Sequence, residues 1–393
     1  MISSTSVIFL NAGQGDSTLV RFRSGKIFII DSNRDANHSP AALKYLKRWF
    51  AETNCADIEF LCLTHPDADH YRGMPEIIQW VWDNGGKIKY LLRSPFPSGP
   101  DLVDVLDGRG KQLRRTDPKA AINGNKNERE FDKLRVLLDR VAIRTRDAGG
   151  DWHRGYGFSK LYSSDETAGA PAQLKSIAPT SRICEQYTKS LVEDFANALL
   201  AGYDLDADST NAISCVLWFS IGVNHILLPG DATNEALEDA LDFYEATDGS
   251  AAKHGAQFHI AKAPHHGAAS SSSPELWRRL LLKHAAVVVS AGGNARFGHP
   301  HTETLDHIRQ AKREATLYCT SMCHEHAKDL YQMPLATRSA LLDSRVQTRR
   351  REGLAADNAY NGDCCFDFPA AGRPKPLPEC SPIRHCKRHE GLE

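Results

Sequence analysis

The sequence predicts a layered α/β fold. Short apolar runs at residues 7–10, 26–31, 58–63, 88–92, 212–219, 225–228, 258–263 and 286–290 read as strands. Segments with helical spacing fall between them, at 40–50 (Leu43, Leu46, Trp49, Phe50), 74–82, 235–244 and 274–282. Polar side chains that can hold a metal sit directly after several of the strands. Strand, loop, helix and strand in that order indicate sheets covered by helices.

The first strand runs into Asn11-Ala12-Gly13-Gln14-Gly15-Asp16-Ser17. Two glycines after a strand suggest a dinucleotide loop, but that motif needs a helix next. Here 18–22, a turn at Ser24-Gly25 and 26–31 form a β-hairpin that ends on Asp31, so the nucleotide reading is rejected. Gly13 and Gly15 read first as a tight turn between strands, and second as part of a site's rim.

The strand at 58–63 delivers Thr64-His65-Pro66-Asp67-Ala68-Asp69-His70, with four metal-capable side chains inside six residues. A loop leaving a strand end can turn several side chains toward one point, whereas a helix or strand scatters them over different faces. Two imidazoles and two carboxylates so close suit divalent cations. The strand at 225–228 ends in Pro229-Gly230-Asp231, facing a helix start. The strand at 258–263 ends in Pro264-His265-His266-Gly267, and the one at 286–290 runs into a loop carrying Arg296, His299 and His301. Between these halves, 94–208 reads as an insertion, with an amphipathic helix at about 128–145 and a further helix at 185–200. Its basic group Lys111, Arg114, Arg115 and Lys119 reads as a solvated face, with a substrate-contacting lid as the second choice. Ser270 to Ser273 read as a flexible loop.

At 393 residues the chain exceeds one ordinary core. A formal net charge of −1 excludes a global positive field for nucleic acid, so any such contact needs a local patch. The first residues lack the charged start and apolar stretch of a signal peptide, and no apolar run approaches membrane-spanning length. The expectation is a soluble cytoplasmic protein, away from membranes, whose ten cysteines are mostly reduced.

His65, Asp67, Asp69 and His70, followed by Asp231 and then His265 or His266, resemble the metallo-β-lactamase superfamily motif. The loops at Gly13 to Ser17, Leu228 to Asp231, Pro264 to Gly267 and Phe297 to Pro300 resemble more narrowly the soluble hydrolase domain of ComEC-type competence proteins. The likeness covers roughly residues 5–92 and 206–320. It implies a four-layer αβ/βα sandwich over 1–320, interrupted by the helical insertion, with a Cys/His-rich extension over 321–393. It also implies two divalent metal ions, Mn²⁺ or Zn²⁺. His65 and Asp67 would hold one, Asp69 and His70 the other, with Asp231 bridging. His265 would complete the set; the adjacent His266 is the alternative ligand, and whichever does not bind metal would support it or touch substrate. Asp16 and Asp31 would support the ligands from behind. Two departures matter: Asp67 stands where many members have His, and Asn211 and Ser214 occupy the strand where many carry a further His ligand. More oxygen and less nitrogen hardens the site and shifts the expectation toward Mn²⁺.

The implied chemistry is hydrolysis by a metal-activated water steered by Asp69. His299 is read as meeting the leaving group or a phosphoryl oxygen, against a purely structural reading. Lys262 and Arg296 are candidates to meet phosphate. The resulting function is a phosphodiesterase or nuclease acting on nucleic acid. Alternatives are a hydrolase of a small phosphodiester or ester, and a catalytically silent metal-binding scaffold. In the tail, a structural zinc could be drawn from Cys319, Cys323, His324, His326, Cys364, Cys365, Cys380, His385, Cys386 and His389, against a set of reduced thiols. Arg345 and Arg349 to Arg351 form a basic run, usually a solvated face but also the best local match for a phosphate backbone.

Overall fold

The computed structural model describes residues 5–13, 15–34, 39–95, 126–157, 159–164, 171–190, 207–247, 257–291, 298–320, 364–368 and 374–376. The first sheet is built from β1 (Thr5–Phe9), β2 (Ser17–Arg21), β3 (Ile27–Ser32), β4 (Ile58–Leu63), β5 (Ile88–Arg93) and β6 (Asp151–Arg154). The second contains β7 (Ser159–Ser164), β8 (Ala172–Ala178), β9 (Val216–Ile221), β10 (Asn224–Leu228), β11 (Phe258–Lys262), β12 (Leu281–Val289) and β13 (Thr316–Cys319). Two late strands, β14 (Cys364–Phe368) and β15 (Lys375–Pro376), return to the first sheet, giving the order β15-β14-β1-β2-β3-β4-β5-β6. The second sheet is ordered β13-β12-β11-β10-β9-β8-β7.

Both sheets are mixed. β3 to β6 pair in parallel, as do β10 to β13, while β1-β2-β3 and β7-β8-β9-β10 are antiparallel. Parallel strands need a crossover, and helices supply it. On the first sheet lie α1 (Ala41–Thr53), α2 (Ala68–Tyr71), α3 (Met74–Asp83) and α4 (Lys126–Asp147). Near the second lie α5 (181–190), α6 (Ala207–Ala212), α7 (Asn234–Thr247), α8 (Pro274–Leu280) and α9 (Thr302–Ala311).

The core falls into three slabs, as four layers require. Leu43, Ile77, Val81 and Leu138 pack on Ile29, Leu61 and Leu91 outside the first sheet. Phe9, Phe28, Phe60, Phe219, Leu228 and Ile260 fill the space between the sheets. Leu237, Leu241, Trp277 and Ile308 cover Trp218, Phe258 and Val287 outside the second. β3 and β4 are buried on both faces at their centres, which is why they read as apolar runs rather than alternating ones, whereas β5 exposes Lys89.

Four expectations change. The span 94–208 is not one insertion, because β6 joins the first sheet and β7 and β8 join the second. β6 and β7 are polar and half exposed, so their pattern is weak in sequence. The extension beyond 320 is not separate either: Cys364 to Phe368 pair with Phe9 to Thr5, and Phe366 stacks edge-on against Phe9 and Tyr318. The strand expected at 212–219 starts only at Val216, since α6 occupies Ala207–Ala212 and the intervening backbone bonds to the neighbouring sheet tip. Finally, the serines at 270–273 form a fixed cap. Ser272 Oγ accepts the Trp277 indole N–H at 2.8 Å, and Ser273 Oγ accepts the Leu276 N–H at 3.1 Å.

Cys365 is disulfide-bonded, which removes it from the proposed zinc set, while Cys55, Cys62, Cys184 and Cys215 are free thiols. The remaining tail residues named for zinc, the basic groups at 111–119 and 345–351, Arg296 and the helix end at 191–200 lie outside the described residues, apart from Cys319 and Cys364. No helix among the described residues is long and apolar enough to cross a membrane.

Candidate metal centre

The carboxyl ends of β3, β4, β10 and β11 meet at one edge of the sandwich, where open α/β sheets place ligands. The penultimate residue of β3 is Asp31, whose backbone is left-handed at φ 54°, a conformation Asp tolerates better than most residues. Its Oδ1 accepts the Thr64 backbone N–H at 2.8 Å, and its Oδ2 accepts the Thr64 hydroxyl at 2.6 Å. The same Oδ2 takes His70 Nδ1 at 2.7 Å. One carboxylate thus fixes the start of the motif loop and the ring of its last histidine.

His65 is fully buried, with Nδ1 3.1 Å from the Thr64 hydroxyl. Its ring centre is 4.0 Å from that of His70. Asp231, at the tip of β10, turns Oδ1 to within 3.2 Å of His70 Nε2 and Oδ2 to within 3.4 Å of His266 Nε2. His266 adopts φ 53° and directs Nδ1 at the Ser290 carbonyl, 2.7 Å away, which leaves Nε2 for the cluster, 3.3 Å from Asp69 Oδ2. Left-handed backbone at both His265 (φ 46°) and His266 folds this turn inward.

The loop between β1 and β2 closes the back of the site. The Asp16 backbone N–H donates to the Asp69 carbonyl at 3.1 Å, and Ser290 Oγ donates to the Gly15 carbonyl at 2.9 Å. Asp16 pairs with Lys262, which is 3% exposed and also donates to the carbonyls of Gly230 and Ala263 at 3.1 and 3.2 Å.

The nitrogens His65 Nε2, His70 Nε2 and His266 Nε2, with Asp231 Oδ1 and Asp16 Oδ1, are buried and make no well-aligned hydrogen bond, although His70 and His266 face the Asp231 carboxylate at 3.2 and 3.4 Å. Orphaned buried polar atoms are costly, and several pointing at one another call for a shared partner. His65, His70 and Asp231 form one group that could grip a cation, and Asp69, His70 and His266 form another; because Asp31 holds His70 Nδ1, the single inward nitrogen of His70 could serve one of them at a time. The balance of charge in the cluster agrees. Burial opposes charge on His70, yet Asp231 and Asp31 raise its pKa well above the usual histidine range. Burial likewise opposes charge on His266, but Asp231 and Asp69 lift it to about 9. Against the effect of burial, His266 and His70 hold the Asp231 carboxyl well below the carboxylate range. Protons on the imidazoles balance the carboxylates in the protein alone, and divalent cations would take that role and release them. The donor set therefore fits hard or borderline divalent metal.

Residues 10–161 match the family model described as the metallo-beta-lactamase superfamily. Two mixed sheets with helices outside them are consistent with that superfamily's fold. ComE operon protein 3 of Bacillus subtilis (strain 168) is 28% identical over 119 residues, 30% of this chain, and the match spans only 14% of that relative's length. Among solved structures, the metallo-beta-lactamase fold protein YhfI from Bacillus subtilis is 7% identical, with 81% of this chain and 97% of that one covered at a TM-score of 0.36. A long form RNase Z from yeast is 11% identical, covering 89% of this chain and 44% of its own at 0.38. Members of the metallo-beta-lactamase superfamily are mostly metal-dependent hydrolases.

Seen in this fold, the expected residues divide into three groups. His65, Asp69, His70, Asp231 and His266 converge, with Asp31 and Asp16 behind them. Two expected ligands stand at the rim. Asp67 Oδ1 accepts the Thr210 hydroxyl at 2.8 Å, and its Oδ2 lies 3.7 Å from His65 Nε2. His265 Nε2 is 4.0 Å from Asp231 Oδ2, and the position offered to it is taken by His266, because the double left-handed turn carries the second ring inward. Lys262 is corrected from substrate contact to buried counter-ion: its donors are spent on Asp16 and two carbonyls. His299 is near the cluster, its ring 5.3 Å from that of His265 and 6.0 Å from that of His266. Burial, with His266 and His265 beside it, pushes its pKa down to about 3, so the ring is neutral.

Sequence reasoning missed Thr64, which ties Asp31 to the loop, and Thr210. It also gave the glycine loop mainly a turn role. A Cβ at Gly15 would run into the Asp69 carbonyl and the Asn33 side chain, so this glycine permits close packing against the ligand loop. The Thr immediately before the first His was visible in sequence, but nothing local says that it faces Asp31.

Proposed function

We propose that this chain is a metal-dependent hydrolase that cleaves phosphodiesters, with nucleic acid as its substrate class. The observation that carries the reading is a pair of adjoining groups at the strand tips, His65 with His70 and Asp231, and Asp69 with His70 and His266, each with its ligand atoms close enough to share an ion. Two divalent cations held there would supply Lewis acidity and a water nucleophile near neutral pH.

The chain's own groups support that assignment. Ser290 Oγ is held by the Gly15 carbonyl at 2.9 Å, and in this reading the attacking group is water. Asp69, 3.3 Å from His266 and at the cluster's edge, would orient it and accept its proton. His299, neutral and beside His265 and His266, would donate a hydrogen bond to a phosphoryl oxygen rather than deliver a proton. The mixed imidazole and carboxylate donors would suit Mn²⁺ or Zn²⁺.

The test is incubation with Mn²⁺ or Zn²⁺ and single-stranded DNA, duplex DNA, RNA or a chromogenic bis-aryl phosphate ester. Polymer cleavage that disappears in Asp231→Ala is the expected result. Turnover of the small ester alone would shift the assignment to a small phosphodiester. Tight metal binding with no turnover on any substrate would make the protein a silent scaffold.

A further inference from the structure

Residues 210–215 run past the mouth of the cluster and contact it three times. The Cys215 backbone N–H donates to the Thr64 carbonyl at 2.8 Å. Ser214 Oγ accepts the Asp231 N–H at 3.2 Å. The third contact differs in kind, because Thr210 Oγ1 donates to a carboxylate, Asp67 Oδ1, at 2.8 Å. Asp67 is 28% exposed, and its other oxygen lies 3.7 Å from His65 Nε2. That nitrogen is buried and unpartnered.

A partly exposed aspartate on a loop has several side-chain rotamers of similar energy, and ordering it costs entropy. One hydrogen bond to one oxygen selects a rotamer and fixes where the second oxygen points. The inner groups His65, His70 and Asp231 already lie within reach of a common ion, whereas Asp67 joins none of the tight clusters. Its participation therefore depends on what holds its outer oxygen.

We propose that Thr210 is a positioning residue for the cation nearest His65. By holding Asp67 Oδ1, it aims Oδ2 at the space before His65 Nε2 and makes this carboxylate an added ligand. The inference rests on the metal-centre reading above. It assigns α6 a part in the site, although the motif loop lies 143 residues earlier in the chain.

The experiment titrates the metal-free full chain with Mn²⁺ and with Zn²⁺, alongside its melting temperature. Wild type, Thr210→Val, Thr210→Ser, Asp67→Asn and the Thr210→Val/Asp67→Asn double variant are compared. Thr210→Val is expected to weaken the first cation about tenfold or more, the range for lost outer contacts. Thr210→Ser keeps the hydroxyl and restores wild-type affinity. The valine effect vanishes in the Asp67→Asn background, and the metal-free melting temperature does not follow the affinity loss. Should Thr210→Val fail to fold, Thr210→Ala removes the same hydroxyl and is judged identically. Wild-type affinity in Thr210→Val, or an equal loss with and without Asp67, overturns the role of Thr210 while leaving the metal centre intact. If wild type binds neither ion, the metal-centre reading falls, and this one with it.

Discussion

Asp31 Oδ2 lies 2.7 Å from His70 Nδ1, and this contact turns the opposite nitrogen of His70 into the cluster. The same oxygen accepts the Thr64 hydroxyl, so ring orientation and loop path share one carboxylate. A ligand's outer nitrogen held by a carboxylate gains basicity as well as direction.

Asp31→Asn should separate these roles. Asn tolerates the left-handed backbone at φ 54°. It lacks the charge that supports His70, so metal affinity should fall about tenfold or more. Calorimetric titration with Mn²⁺ measures it; unchanged affinity would mean that His70 is fixed by packing alone.

Lys262→Met should be severe for folding. It leaves Asp16 buried at 2% exposure without its cation. Breaking a buried pair in this way costs about 3–5 kcal/mol. Denaturant unfolding reads it directly. A substrate-binding lysine would behave differently, raising KM with stability intact.

Gly15→Ala tests the approach of the glycine loop to the ligand loop. The added methyl would meet the Asp69 carbonyl and the Asn33 side chain, on a backbone at φ +147°. Gly13→Ala is the control, since it has the positive φ but open space around the new atom. The control should lose about 1 kcal/mol from strain. Gly15→Ala should lose several times more and weaken metal binding too. Equal losses at the two positions would refute the close-packing role.

His225 predicts a pH dependence away from the metal. Burial, with His259 and Lys175 nearby, lowers its pKa below the usual 6.5. Its Nδ1 accepts the Trp218 indole N–H at 3.1 Å, a bond that a second ring proton would destroy. A depressed histidine contributes stability in full above the unfolded pKa, and that stability is lost as pH falls toward the folded value. Denaturation midpoints should therefore drop below about pH 6.5 and drop less in His225→Gln, which removes the titrating group. Parallel curves for the two proteins would exclude His225 as the source.

The division between sequence and fold follows contact distance. The apolar runs and the spacing of His65, Asp67, Asp69 and His70 are local, and they determined the layered class, the ligand loop and the candidate donors. Asp231 was legible too, because it ends an apolar strand. Only the tertiary structure decided that His266, rather than His265, turns inward, since that depends on two left-handed residues and the Ser290 carbonyl. It also decided that Lys262 is bound internally, that Thr210 reaches Asp67, and that Cys364 to Phe368 close the first sheet beside β1. The physical reason is the same in each case: these partners are brought together by strand pairing and burial between distant parts of the chain, and no local pattern of residues encodes the geometry of a contact that forms only when the two sheets pack.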